Sequence, residues 1–175
     1  DRTASFFGRA LYDYKNRYYA TLTVRADGST KFAPGKQWGY FPAGSIAWRI
    51  SNEKWMKPIK FISDLKLRAS YGLAGNNRID SYVSLPMLTS VTYPNGDSTQ
   101  PGYVSKQIPN PNLKWESTTS WNIGTDLTFL KGRLSANLDV YKKITTDLLV
   151  SRELPSLIGY SSVMSNIGEV QNTGV

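Results

Sequence analysis

From Trp121 to Tyr141 the chain alternates apolar and polar residues with a period of two. Trp121, Ile123, Thr125, Leu127 and Phe129 fall on one side, and Asn122, Gly124, Asp126 and Thr128 on the other. After a break, LKGR at 130–133, Leu134, Ala136, Leu138 and Val140 resume the apolar side. Ser135, Asn137, Asp139 and Tyr141 stand opposite them. Side chains of a strand point alternately to the two faces of a sheet, so this stretch predicts a hairpin with one apolar face and one polar face. Its strands run about nine or ten residues each, where strands of soluble domains usually run about five or six.

The same pattern recurs upstream. The segment 6–14 sets Phe6, Gly8, Ala10, Tyr12 and Tyr14 against Phe7, Arg9, Leu11 and Asp13. In 18–25, Tyr18, Ala20, Leu22 and Val24 share a side. In 38–50 the apolar side holds Tyr40, Gly44, Ile46, Trp48 and Ile50, and in 64–74 it holds Leu65, Leu67, Ala69, Tyr71 and Leu73. A further strand begins near Asn166. The expectation is an all-β antiparallel meander of about seven long strands.

The connections differ in length. Residues 15–17 form a short turn with Asn16 suited to positive φ. The loop 26–37 carries Pro34-Gly35 as breakers. In 51–63, Ser51 is expected to cap a short helix that ends before Pro58. The stretch 75–112 is long and rich in breakers, with a short strand expected around 82–88. The last loop spans 151–165. Lys114 and Val150 are the outer limits expected for the hairpin at 121–141. Pro42 within the third strand marks an edge, a bulge or a strand start.

Two architectures write this alternation. A soluble β-sandwich turns its apolar faces inward. A membrane β-barrel turns them toward lipid. Strand length, the alternation of short and long connections, and aromatics at strand ends (Tyr12, Tyr14, Tyr18, Tyr19, Phe129, Trp38, Tyr40, Trp115) favour the barrel. So does charge. The apolar sides carry none until Lys142, whereas the opposite sides hold Arg9, Asp13, Arg25, Arg49, Lys66, Arg68, Asp126 and Asp139. A soluble sandwich, serving as a carbohydrate-binding or adhesin module built on 75–112, remains the alternative.

Composition narrows the chemistry. The 175 residues are 40% hydrophobic and include no cysteine and no histidine, which removes disulfides, thiolate catalysis, the usual zinc sites and every Ser-His-Asp triad. No apolar run is long enough for a membrane-spanning helix, and no signal peptide is expected in this piece. The net charge of +8 is dispersed, with Lys142-Lys143 the one adjacent basic pair, so no nucleic-acid partner is expected.

The candidate sites are therefore modest. Asp126 and Asp139 are placed to share one space as an acid pair, or to be lumen carboxylates neutralised by Arg68 or Lys66, which is the reading favoured here. Asn95-Gly96-Asp97-Ser98 has a faint calcium-loop look, but turn chemistry explains it better. The Gly72 to Gly75 spacing lacks the lysine and helix of a phosphate cradle. Tyr82, Tyr93 and Tyr103 are available to stack on sugar rings or on a capping protein, and Arg49 and Arg68 to line a path. No residue is assigned to catalysis, to a cofactor or to a metal, and the substrate-binding residues are left unassigned.

Several runs carry a family resemblance: RADGSTKF at 25–32, WGYFPAGSIAWRI at 38–50, ISDLKLRASYG at 62–72 with Gly75-Asn76 after it, NPNLKWE at 110–116, and NIGEV at 166–170 followed by Gly174. Together they resemble the barrel of SusC/RagA-type TonB-dependent outer-membrane transporters. The resemblance implies a Gram-negative outer-membrane barrel of about 22 strands, closed by an N-terminal plug domain. It implies energy supplied through TonB, a SusD-like surface lipoprotein as partner, and a bulky oligosaccharide or peptide as cargo. Against that pattern, 1–175 reads as a partial barrel domain. The plug and the TonB-contact segment are not recognisable in it, and seven strands cannot close such a barrel.

Overall fold

The computed structural model describes residues 1–175 except 60 and 161. Its first four strands are β1 (Thr3–Tyr14), β2 (Tyr18–Ser29), β3 (Trp38–Arg49) and β4 (Ile62–Asn76). A side hairpin follows, β5 (Met87–Asn95) and β6 (Ser98–Gln107), before β7 (Glu116–Phe129) and β8 (Leu134–Thr146). A second pair, β9 (Leu149–Glu153) and β10 (Ser162–Asn166), precedes β11 (Glu169–Gly174). The wall is one seven-stranded sheet in the order β1-β2-β3-β4-β7-β8-β11, antiparallel throughout. Among the described residues, β5–β6 and β9–β10 form separate two-stranded sheets.

The period of two becomes two faces. One apolar row crosses six strands in register as Tyr12, Ala20, Ile46, Ala69, Ile123 and Val140. This face is uncovered, Ile123 being 68% exposed and Ile46 65%. No second sheet packs on it among the described residues, so the sandwich alternative fails: a sandwich would bury these side chains. Instead 12- to 15-residue strands present a continuous apolar band. At about 3.3 Å per residue they reach about 40–50 Å, enough to cross about 30 Å of hydrocarbon at a tilt.

The polar face carries the matching rows, such as Asp13, Tyr19, Ala47, Arg68, Gly124 and Asp139. The β3–β4 ladder runs from Ala43↔Gly72 to Arg49↔Lys66, so Pro42 stands just past its end, bonded through β2 alone. The missing N–H of Pro42 thus costs no ladder bond on the β4 side.

Short connections gather at one end. Lys15 and Asn16 both take positive φ in the first turn. The β3–β4 connection folds over that turn: Asn52 Nδ2 donates to the Asn16 carbonyl at 2.7 Å, and the Arg49 N–H to the Arg17 carbonyl at 2.7 Å. Tyr14, Tyr18 and Trp48 stack in series, with ring centroids 6.5 and 6.3 Å apart. Buried Glu53 accepts from the Tyr18 hydroxyl at 2.8 Å and the Trp48 indole at 3.2 Å, and pairs with Arg17 at 3.3 Å.

The Tyr18 hydrogen bond, with help from Trp48 and Arg17, holds the Glu53 carboxyl below the ordinary glutamate value although its burial works the other way. A depressed carboxylate stabilises the fold above its unfolded-state pKa, and that contribution is lost as pH falls through the folded value. Glu53→Gln should therefore lower the melting temperature at neutral pH, and the difference from wild type should close on acidification to about pH 3. Parallel melts at the two pH values check this.

Several boundaries differ from the sequence reading. β2 runs on to Ser29 and β4 to Asn76, because pairing partners extend both strands beyond the point where alternation is legible. Ser51 caps nothing. The helix is one 3-10 turn, Ile50–Asn52, entered from Arg49 without a side-chain cap, and the Ser51 hydroxyl donates to Asp64 instead. The strand expected at 82–88 is displaced to β5, since Tyr82 has φ +68 and sits in a turn. The second long strand ends at Thr146, where Asp147 takes φ +57 and separates β8 from β9.

Candidate functional site

The carboxylates at the centre of the inner wall are held by arginines. The Arg68 guanidinium bridges the two candidate acids, 3.0 Å from Asp126 and 3.1 Å from Asp139. Gly124 makes room for the bridge, since a Cβ there would run into the Asp139 carboxylate and the Arg68 guanidinium. Arg49 holds Asp64 through two bonds of 2.9 Å. Lys66 stands opposite Asp126 in the β4–β7 register and lies 5.2 Å from the centre of the Tyr19 ring. Asp126 and Asp139 are thus brought together as an arginine-bridged group, the arrangement of a neutralised wall rather than of an acid–base pair.

Arg68→Met should destabilise the wall in low-salt urea titrations by about 1 kcal/mol or less, because all three side chains are more than a third exposed. The loss should shrink in high salt, where exposed charges are screened.

Beside the bridge, the same face forms a shallow recess of about 420 Å³ edged by Thr21, Ser45, Ser70, Ser120, Asn122 and Tyr141. Its donors and acceptors are mostly neutral hydroxyls and an amide, with Lys143 the one cation on its border. Such a surface hydrogen-bonds hydroxylated or amide-bearing solutes without selecting for charge.

The apolar core lies at the opposite end from the short turns. Phe32 and Leu113, 1% and 0% exposed, pack with buried Ile79 and with Val83, Trp115, Leu149 and Met164. These residues come from all three long connections and the strands beside them. Side-chain amides tie the backbones: Asn110 Nδ2 donates to the Met164 carbonyl at 2.8 Å, and Asn166 Nδ2 to those of Lys114 at 2.8 Å and Asp147 at 2.9 Å. Lys31 Nζ donates to the Ile79 carbonyl at 2.6 Å. Phe41 joins this cap to the wall. Its ring meets Trp115 edge-on at 5.5 Å, and it covers Gly39 and Gly75, where a Cβ would clash with it.

The loop tyrosines are not brought together. Tyr93 faces Gln100 and Tyr103 faces Ser90 across β5–β6, so alternation sends them to opposite faces of the hairpin. Asn95 to Ser98 is the hairpin turn, with Gly96 at φ +64, and Gly72 and Gly75 lie within extended β4. Glu53 lies outside every pattern read from the sequence, and Phe41, Asn110 and Asn166 stand in the resemblance runs with no structural role assigned to them there. The run NPNLKWE held the one available signal, an apolar Leu113 and Trp115 set among loop formers.

These features have counterparts elsewhere. The family model described as TonB dependent receptor-like, beta-barrel, matches residues 1–175. The chain belongs to the TonB-dependent receptor β-barrel family. It is 40% identical over 180 residues to the TonB-dependent receptor SusC of Bacteroides thetaiotaomicron, matching 98% of this chain and 18% of SusC. A TonB-dependent receptor of Formosa agariphila is 40% identical over 171 residues, matching 98% of this chain and 16% of that one. The RagAB peptide transporter superposes with a TM-score of 0.89 at 31% identity, over 98% of this chain and 19% of the solved one. The RagAB peptide importer gives 0.89 in its closed-closed state and 0.86 in its open-open state. The chain therefore spans less than a fifth of the length of these relatives. TonB-dependent receptors are outer-membrane β-barrel proteins, a transporter family rather than an enzyme family, so the uncovered apolar face is the one that meets lipid.

Proposed function

We propose that this chain forms part of the barrel wall of an importer that carries a bulky glycan or peptide across the outer membrane. The observation that carries the reading is the pairing of a lipid-facing apolar band with an inner face on which Arg49 and Arg68 engage the carboxylates of Asp64, Asp126 and Asp139. Such a wall lets a polar solute pass without trapping it on a fixed charge. The neutral recess beside Arg68 supplies hydroxyl and amide partners along that path. Energy comes through TonB, which acts on parts of the receptor outside these strands.

The long-connection end faces outward and seats a SusD-like lipoprotein. The β5–β6 hairpin is the contact, because it exposes Leu88, Tyr93, Tyr103 and Val104 and carries only two charges of opposite sign, Asp97 and Lys106. The wall serves as the fixed frame of the transport cycle, consistent with RagAB, which resembles this segment about equally in its open and closed states.

The test is uptake of fluorescently labelled oligosaccharides and peptides by source cells lacking the receptor gene, with and without the gene restored. Accumulation should require the gene and should stop when a protonophore collapses the inner-membrane gradient. Undiminished uptake of every labelled solute in the deletion strain would sink the proposal.

A further inference from the structure

The β3–β4 connection carries more chemistry than a turn needs. Successive i→i+3 bonds, Glu53 N–H to Ile50, Met56 N–H to Glu53 and Ile59 N–H to Met56, wind it with about three residues per turn. Ile50, Glu53 and Met56 consequently share one side, all buried against the sheet end, while Lys54, Trp55, Lys57 and Pro58 point outward. Trp55 is 60% exposed, and Ile59 and Phe61 beside it are also open. All three are apolar side chains left exposed rather than packed into the core.

We propose that this connection docks on the phospholipid leaflet bordering the short-turn end, with Trp55, Ile59 and Phe61 entering the headgroup boundary and Lys54 and Lys57 binding anionic phosphates. The inference rests on the reading that the apolar face of the wall meets lipid.

Continuity argues first. Phe61 packs on Phe129, the rings 5.4 Å apart and tilted by 44°, and the Leu130 N–H donates to the Phe61 carbonyl, so Phe61 adjoins the lipid face. It also abuts the Tyr14, Tyr18 and Trp48 series through Glu53. Tryptophan and tyrosine settle at a membrane boundary because one end is apolar and the other polar.

Charge argues second. The turns at this end also present exposed Lys15, Lys131 and Arg133. The acids nearby are engaged: Glu53 by Arg17, Asp64 by Arg49, and Asp13 as acceptor of the Asn16 N–H. What faces outward is an excess of cations around exposed aromatic and aliphatic side chains. Long lysine stems reach such phosphates while their methylenes stay on apolar surface.

The test places an environment-sensitive fluorophore on Trp55→Cys, and separately on Ile59→Cys, in the full-length receptor in nanodiscs. One set of discs is phosphatidylcholine and the other contains phosphatidylglycerol. Both labels should be shielded from iodide and quenched by nitroxides in the headgroup region. Quenching in the anionic discs should fall by about half in K54Q/K57Q or at high salt. Labels open to iodide in both discs, on a barrel that migrates as folded on unheated gels and whose cysteine variant still imports when expressed in cells, would overturn the docking alone. Shielding that appears only with periplasmic extract assigns the face to a protein and overturns it as well. Failure of every variant, and of the unlabelled receptor, to insert would instead remove the lipid-facing reading beneath it.

Discussion

Ile123→Arg should abolish most assembly of the receptor into the outer membrane, whereas Asn122→Arg, one residue away, should assemble nearly normally. Ile123 sits mid-strand in β7, flanked in register by Ala69 and Val140, and its side chain is open on the lipid face. An arginine at such a position costs about 2–4 kcal/mol at the bilayer midplane. It finds no carboxylate there, because Asp64, Asp126 and Asp139 of this and the neighbouring strands lie on the other face. Asn122 lies between Ser70 and Tyr141, and an arginine in its place meets water and polar partners. The measurement is the fraction of heat-modifiable barrel in purified outer membranes. Equal yields for the two variants would reverse or abolish the assignment of faces. The same contrast is expected between Leu138→Arg and Asn137→Arg on β8, with a smaller gap because Leu138 lies nearer its strand's start.

Phe41→Ala should loosen the cap from the wall while leaving the sheet paired. Removal of a buried phenylalanine typically costs about 3–5 kcal/mol. Here the loss includes the edge contact with Trp115, the filled space over Gly39 and Gly75, and the Arg25 guanidinium 5.7 Å from the ring centre. Gly75→Val approaches the same contact from the other side, by driving a side chain into the place the ring occupies; overpacking of this kind costs about 1–3 kcal/mol. Both variants should speed protease cleavage and amide exchange within 77–115 without altering exchange in β7 and β8. Unchanged exchange in those loops would mean that Phe41 is not the link.

The wall was legible because one physical rule, alternation, is written into its long strands, although not into the short β11 at its edge. Trp121 to Phe129 and Leu134 to Val140 declare their faces residue by residue, and the charges on the far face declare what the barrel interior tolerates. Because they share a face, Asp126 and Asp139 are expected to pair with Arg68 or Lys66, and the folded wall gives both to Arg68. The cap was not legible, for a reason of equal generality. Phe32, Ile79 and Leu113 are separated by dozens of residues and follow no period, so only the folded loops reveal that they meet. Glu53 escaped notice because a lone glutamate in a lysine-rich turn reads as solvated, and its value comes from Tyr18 and Trp48 on other elements. The β9–β10 pair was hidden because its two five-residue strands are too short to show alternation.

The side hairpins leave and rejoin the wall between strands that are already hydrogen-bonded neighbours: β5–β6 departs from β4 and returns at β7, and β9–β10 departs from β8 and returns at β11. Each is a detour whose endpoints are fixed by someone else's pairing. A detour of this kind can lengthen, shorten or change its sequence without moving a single register partner below it. The register of the wall is therefore independent of what the hairpins present, and a hairpin exchanged between two such barrels would change one end of the molecule without re-pairing a strand.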